Sequence, residues 1–161
     1  MHFPYFKTDE QKQVVLNQII KLSKRYYIPI INYSIAINHY HLKFYLENGC
    51  KMSEVKKIMR GGVSYEYRKK FIVSYKEMWQ SRKILRITSE KANIKISGYI
   101  VGNLLKHKEV STFEELKNNK FSSYWHTVEK YGDEEAQNLV YSVINLDEDE
   151  WGEINLKQFD L

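Results

Sequence analysis

Residues 27 to 47 read YIPIINYSIAINHYHLKFYLE, and the fold turns on how this stretch is parsed. Ile28, Ile30, Ile31, Tyr33, Ile35 and Ile37 form a β-branched and aromatic run that predicts a strand over 27–37. Asn38 suits a tight turn, and His39 to Glu47 then predicts a second strand, antiparallel to the first. Strand side chains two apart share a face. One face therefore carries His39, His41, Lys43 and Tyr45, and the other Tyr40, Leu42, Phe44 and Leu46. The apolar face belongs to the core, which leaves the histidine face open as a binding platform. Two imidazoles side by side suit a divalent metal. The alternative is two partly exposed strand histidines with no ligand.

Working outward, Phe3 to Phe6 predicts a first edge strand, limited by Pro4. Thr8 or Asp9 caps a helix to about Tyr26, with Val14, Val15, Ile19, Ile20 and Leu22 as its apolar stripe. After a turn at Asn48 to Lys51, Ser53 caps a helix to about Phe71, with Val55, Ile58 and Met59 inward and Gly61-Gly62 as a kink or close approach. Met78 to Thr88 predicts a further strand, and Ser89 or Glu90 opens a helix to about His107. The order β-α-β-β-α-β-α is an α+β, ferredoxin-like (RRM-like) βαββαβ antiparallel sheet with an added helix. Residues 1–110 are read as the main domain. Residues 111–161 are read as a C-terminal extension, with a short helical turn at Phe113 to Lys117, a helix around Glu134 to Ile144 and an acidic tail.

The charge is unevenly placed. Residues 133–161 hold nine acids and one base, Lys157, whereas residues 1–132 hold 24 bases and 11 acids. A basic body with an acidic tail fits a polyanion-binding surface, and thirteen tyrosines among the basic residues favour single-stranded nucleic acid, whose bases stack on aromatic rings. An ordinary lysine-rich surface is the alternative. Cys50 is the single cysteine, which excludes an internal disulfide and a cysteine-based zinc site. No apolar run reaches the roughly 18 to 20 residues of a membrane span, and no signal-peptide pattern is present. The reading is a cytoplasmic protein with no membrane partner.

Tyr99 and Asn103 lie four apart on the predicted last helix and so share a face. A tyrosine hydroxyl can serve as a nucleophile and an asparagine oxygen as a hard metal ligand. Gly98 and Gly102 flank them at a cost in helix stability, which points to a close approach there. The alternative for Tyr99 is an aromatic at the sheet–helix boundary with a satisfied hydroxyl.

Taken in order, Asn38-His39-Tyr40-His41, Met78-Trp79-Gln80, the run YIVGNLLKHKEV over 99–110 and Phe121-Ser122-Ser123-Tyr124 resemble the HUH single-tyrosine transposases, especially the REP-associated tyrosine transposase branch. The resemblance covers roughly residues 10 to 125. It implies the ferredoxin-like sheet, a Mg²⁺ or Mn²⁺ ion on His39, His41 and Asn103, and Tyr99 as nucleophile. It further implies nicking and rejoining of single-stranded DNA near a hairpin through a 5′-phosphotyrosine. Lys43, Arg60, Arg82, Lys83 and Arg86 are the candidate phosphate contacts, and the protein is a monomer or homodimer. Ala36-Ile37 stands where the family usually has Met-Pro, and Leu104 where it usually has Pro. Neither change removes a chemical group from the site. A non-catalytic module binding hairpin or single-stranded nucleic acid, or an HUH replication initiator or relaxase, are the competing functions.

Overall fold

The computed structural model describes residues 5–47, 51–72, 78–79, 84–146 and 156–158. It is a mixed α/β protein whose chain divides into two compact units, 1–80 and 81–161.

In the first unit, helix α1 (Asp9–Tyr26) starts at a reciprocal cap. The Gln11 amide N–H donates to Thr8 Oγ1 at 3.3 Å, and the Thr8 N–H donates to Gln11 Oε1 at 3.1 Å. Val14, Val15, Ile19 and Leu22 are buried as expected. Ile20 is 40% exposed, however, and Leu16 takes its place inside. The reason is periodicity: Leu16 lies four after the buried Lys12 and three before Ile19, whereas Ile20 is turned past the edge of that face. Strands β1 (Ile30–Ile35) and β2 (Tyr40–Phe44) pair antiparallel, with Ser34 opposite His41 and Asn32 opposite Lys43. The Phe6 N–H donates to the Ile37 carbonyl at 2.8 Å, which lays the end of the expected first strand beside the hairpin. The rest of that strand lies outside the described residues.

Helix α2 (Met52–Lys56), a π-helical turn (Lys57–Gly62) and helix α3 (Val63–Lys70) run on one from another. The cap residue is Lys51 in the left-handed conformation rather than Ser53, whose hydroxyl is engaged by the Glu54 carboxylate at 2.8 Å. That bond, first among its causes, lowers the Glu54 pKa. Val55, Ile58 and Met59 are buried. The glycine pair falls in the π turn. A side chain on Gly62 would meet Gln18 of α1 at 2.8 Å, so α1 passes closely here, whereas a Cβ on Gly61 meets none of the described residues.

In the second unit, β3 (Leu85–Ile87) pairs antiparallel with β4 (Leu156–Gln158). The expected strand Met78 to Thr88 is seen at β3, and Gln80 to Lys83 lie outside the described residues. The described strands thus form two separate pairs, β1–β2 and β3–β4. Helix α4 (Glu90–Val101) is capped by Ser89, whose hydroxyl accepts from the Ala92 N–H at 3.2 Å. Gly102 interrupts it before the short α5 (Asn103–Lys106). Then follow α6 (Phe113–Asn118), α7 (Tyr124–Tyr131) and α8 (Asp133–Tyr141). The stretch read as an extension shares this unit with α4 and packs on it. A Cβ on Gly98 would lie 2.7 Å from the Leu139 carbonyl oxygen, and one on Gly102 would lie 2.5 Å from Val140. The close approach anticipated at the two glycines is therefore the backbone and side chains of α8.

Two identical substitutions are expected to act with opposite signs. Gly61→Ala meets nothing and should raise the unfolding free energy by about 0.5 kcal/mol through helix propensity and unfolded-state entropy. Gly98→Ala forces α4 and α8 apart and should lower it by about 1–2 kcal/mol. Urea unfolding of both variants checks this; stabilisation by Gly98→Ala would contradict the packing described.

Candidate active site

Pairing between the strands runs one step past β2. The Ala36 N–H donates to the His39 carbonyl at 2.9 Å, which gives His39 the same facing as His41. Their ring centroids are 5.0 Å apart with planes at 73°. His39 Nδ1 lies 2.6 Å from Asn38 Oδ1. With Nδ1–H donating to that oxygen, His39 Nε2 carries the lone pair a metal ion needs. Tyr40 points the other way. Its hydroxyl donates to the Met59 carbonyl at 3.2 Å, and its ring stands edge-on to Trp79 at 5.6 Å. Trp79 is held in turn by donation from Nε1 to Ser64 Oγ at 2.8 Å. Burial drives the Tyr40 hydroxyl well above the ordinary tyrosine value, with the nearby Arg60 charge opposing in part. Tyr40 is thus a neutral structural pin.

The histidine face is not an open platform. Ser34 is fully buried, and Asn32 and Lys43 are nearly so. Strand alternation tells which residues share a face, but packing from sequence-distant parts decides whether water reaches it. Lys43 follows His41 on this face and is 8% exposed. Arg60 sits in the π-helical turn on the Tyr40 side of the strand, away from the histidine face. Arg82 and Lys83 lie outside the described residues, and Arg86 is exposed on β3.

Tyr99 and Asn103 belong to the second unit, and both are buried, Asn103 completely. The Lys106 ammonium lies 4.7 Å from the centre of the Tyr99 ring and donates to the Leu146 carbonyl, so the ring is clasped by a fixed cation. Where Gly102 interrupts the helix, Ser122 Oγ donates to the Val101 carbonyl at 2.9 Å and accepts from the Tyr124 N–H at 3.2 Å. The Ser-Ser-Tyr element therefore braces the end of α4. Burial, with smaller contributions from Asp133 and Tyr141, pushes the Tyr124 hydroxyl up to about 12.

Asn38, Lys106 and Ser122 are the contributors that residue types alone do not reveal. Lys106 is signalled by its spacing, seven after Tyr99 and so two turns along the same face. Ser122 has no local signal, because its partner lies 21 residues away.

The histidine pair suits a divalent ion. Its rings have the separation of roughly 5 Å that two imidazoles sharing one ion need at metal–nitrogen bonds of about 2.1 Å. Among the described residues no group of three or more His, Cys, Asp or Glu could hold a metal.

A family model described as "Transposase IS200 like" matches residues 3–103, a span that ends on Asn103 and includes both histidines and Tyr99. No curated protein and no solved structure matches the chain. No helix among the described residues is long and apolar enough to cross a membrane.

Asn38→Ala removes the acceptor for His39 Nδ1–H and should weaken Mn²⁺ binding about tenfold, the usual scale for an outer partner of a metal-bound histidine. Isothermal titration calorimetry with Mn²⁺ reads this directly; an unchanged affinity would show that Asn38 does not orient the ring.

Proposed function

The chain belongs to the IS200-like transposase family, whose members process DNA, and from that premise we propose that it is a metal-dependent enzyme that nicks and rejoins single-stranded DNA beside a hairpin. The observation that carries the reading is the histidine pair, parallel in facing and oriented by Asn38, within the same matched span as Tyr99 and Asn103. His39 and His41, with Asn103 as the family resemblance implies, would hold Mg²⁺ or Mn²⁺. When bound, the ion polarises the scissile phosphate and offsets charge as it develops.

The Tyr99 oxygen attacks phosphorus and the bond from phosphorus to the 3′ oxygen breaks. The hydroxyl proton is released as Tyr99 attacks, and the departing 3′ oxygen takes up a proton to become a free hydroxyl. The 5′ phosphate stays on Tyr99 as a phosphotyrosine. A 3′-hydroxyl, the original or another strand's, reverses the step and reseals DNA without ATP. The Lys106 cation lies 4.7 Å from the centre of the Tyr99 ring and helps hold it in place. The basic body, 24 bases against 11 acids over residues 1–132, supplies the phosphate contacts.

The finer placement is the REP-associated branch. Trp79-Gln80 and Phe121-Ser122-Ser123-Tyr124 support it, and both elements have structural work in the described residues: Trp79 backs the histidine strand and Ser122 braces α4. A ferredoxin-like sheet is proposed with it, supported by the antiparallel β1–β2 hairpin and the Phe6 bond to Ile37 at its edge.

Incubation with Mn²⁺ and hairpin-bearing single-stranded DNA should give a covalent protein–DNA band on a denaturing gel. Tyr99→Phe should abolish the band. His39→Ala or His41→Ala should abolish cleavage while hairpin affinity falls by less than about tenfold, because binding rests on basic contacts. A band that survives Tyr99→Phe would exclude this mechanism.

A further inference from the structure

The histidine face of the hairpin holds two buried oxygen atoms with no hydrogen-bond partner among the described residues. Ser34 is fully buried and Asn32 is 6% exposed, and neither Ser34 Oγ nor Asn32 Oδ1 is hydrogen-bonded to any of the described residues. Both are on β1 and, being two apart, share a face. Ser34 is directly opposite His41 and Asn32 directly opposite Lys43. Cross-strand partners of this kind have Cβ atoms about 4.5–5.5 Å apart and project to the same side.

Leaving a buried polar group unsatisfied is costly, so such groups are rare unless something outside the chain completes them. Two on adjacent positions of one face, next to an imidazole pair, mark a place prepared for a polar guest. The chemistry of the two atoms narrows the guest. An amide oxygen only accepts, and a serine oxygen accepts as readily as it donates. An anion such as phosphate brings only acceptors and would leave Asn32 Oδ1 unsatisfied. A hydrated divalent cation brings water molecules, which donate outward, and Mg²⁺ in particular retains several of its waters when bound.

We propose that Ser34 and Asn32 are outer acceptors for the water shell of the divalent cation held at His39 and His41, with Ser34 the nearer because it faces His41. This rests on the metal-site reading above. It adds two positioning residues on the strand that carries no histidine, and it explains why that strand buries polar side chains where a hairpin core would carry valine or isoleucine. The two act through bound water and touch neither DNA nor the reacting atoms.

The test uses the full chain, Ser34→Ala, Mn²⁺ alone and two readouts. Thermal unfolding in chelator should show Ser34→Ala at least as stable as the parent, because a hydroxyl with no partner is being removed. Titration calorimetry should show Mn²⁺ affinity reduced about tenfold. Asn32→Ala should shift affinity in the same direction by less. An unchanged Mn²⁺ affinity in Ser34→Ala would overturn the inference and leave the metal site intact. A weaker affinity with a lower melting temperature would mark Ser34 as a structural residue and overturn it equally. A parent protein that binds no Mn²⁺ would overturn the metal reading and this inference together.

Discussion

Tyr40 is gripped on the far side of its strand, and the two histidines face where they do because of that grip. Side chains on a strand alternate with a period of two, so a slip of one residue would exchange the faces of the entire strand. The hydrogen bond from Tyr40 to the Met59 carbonyl and the edge-on Trp79 ring oppose such a slip. Trp79 is itself tied to Ser64 of α3, so the helical layer behind the hairpin sets the register of the site. Asn38 then adds the last constraint, the orientation of one imidazole about its own axis. Facing, register and ring orientation thus come from three different neighbours.

The second unit solves a similar problem for Tyr99. Its helix carries glycines at 98 and 102, each of which weakens a helix by roughly 1 kcal/mol relative to alanine. What the glycines permit is the approach of α8 to within contact of the α4 backbone. Lys106 and Ser122 hold the same helix from other directions. The nucleophile role proposed for Tyr99 demands placement to within a fraction of an ångström, and a helix buttressed on several sides suits that demand.

Much of this arrangement is legible in the amino-acid sequence. The hairpin and the shared facing of His39 and His41 follow from alternation over 27–47, and most of the α1 stripe follows from helical periodicity. Where pattern and fold part company, the causes are physical. Ile20 matches the apolar composition of the stripe but lies past its edge. Ser53 is a good capping residue type, but Glu54 engages its hydroxyl, and the chain enters α2 through a left-handed Lys51. Alternation predicts an open histidine face because it assigns faces without saying what packs against them. The two glycines signal a close approach without naming its partner, since α8 lies some forty residues downstream. The pairing of β3 with β4 likewise depends on a contact that no local pattern announces.

The central claim is that His39 and His41 bind one divalent ion together. Electron spin echo envelope modulation of Mn²⁺ bound to the protein counts the nitrogen ligands directly. Two coupled imidazole nitrogens in the parent, falling to one in His41→Ala, is the predicted result. Bound Mn²⁺ with no nitrogen coupling would contradict it, and the histidine pair would then be a feature of the fold alone.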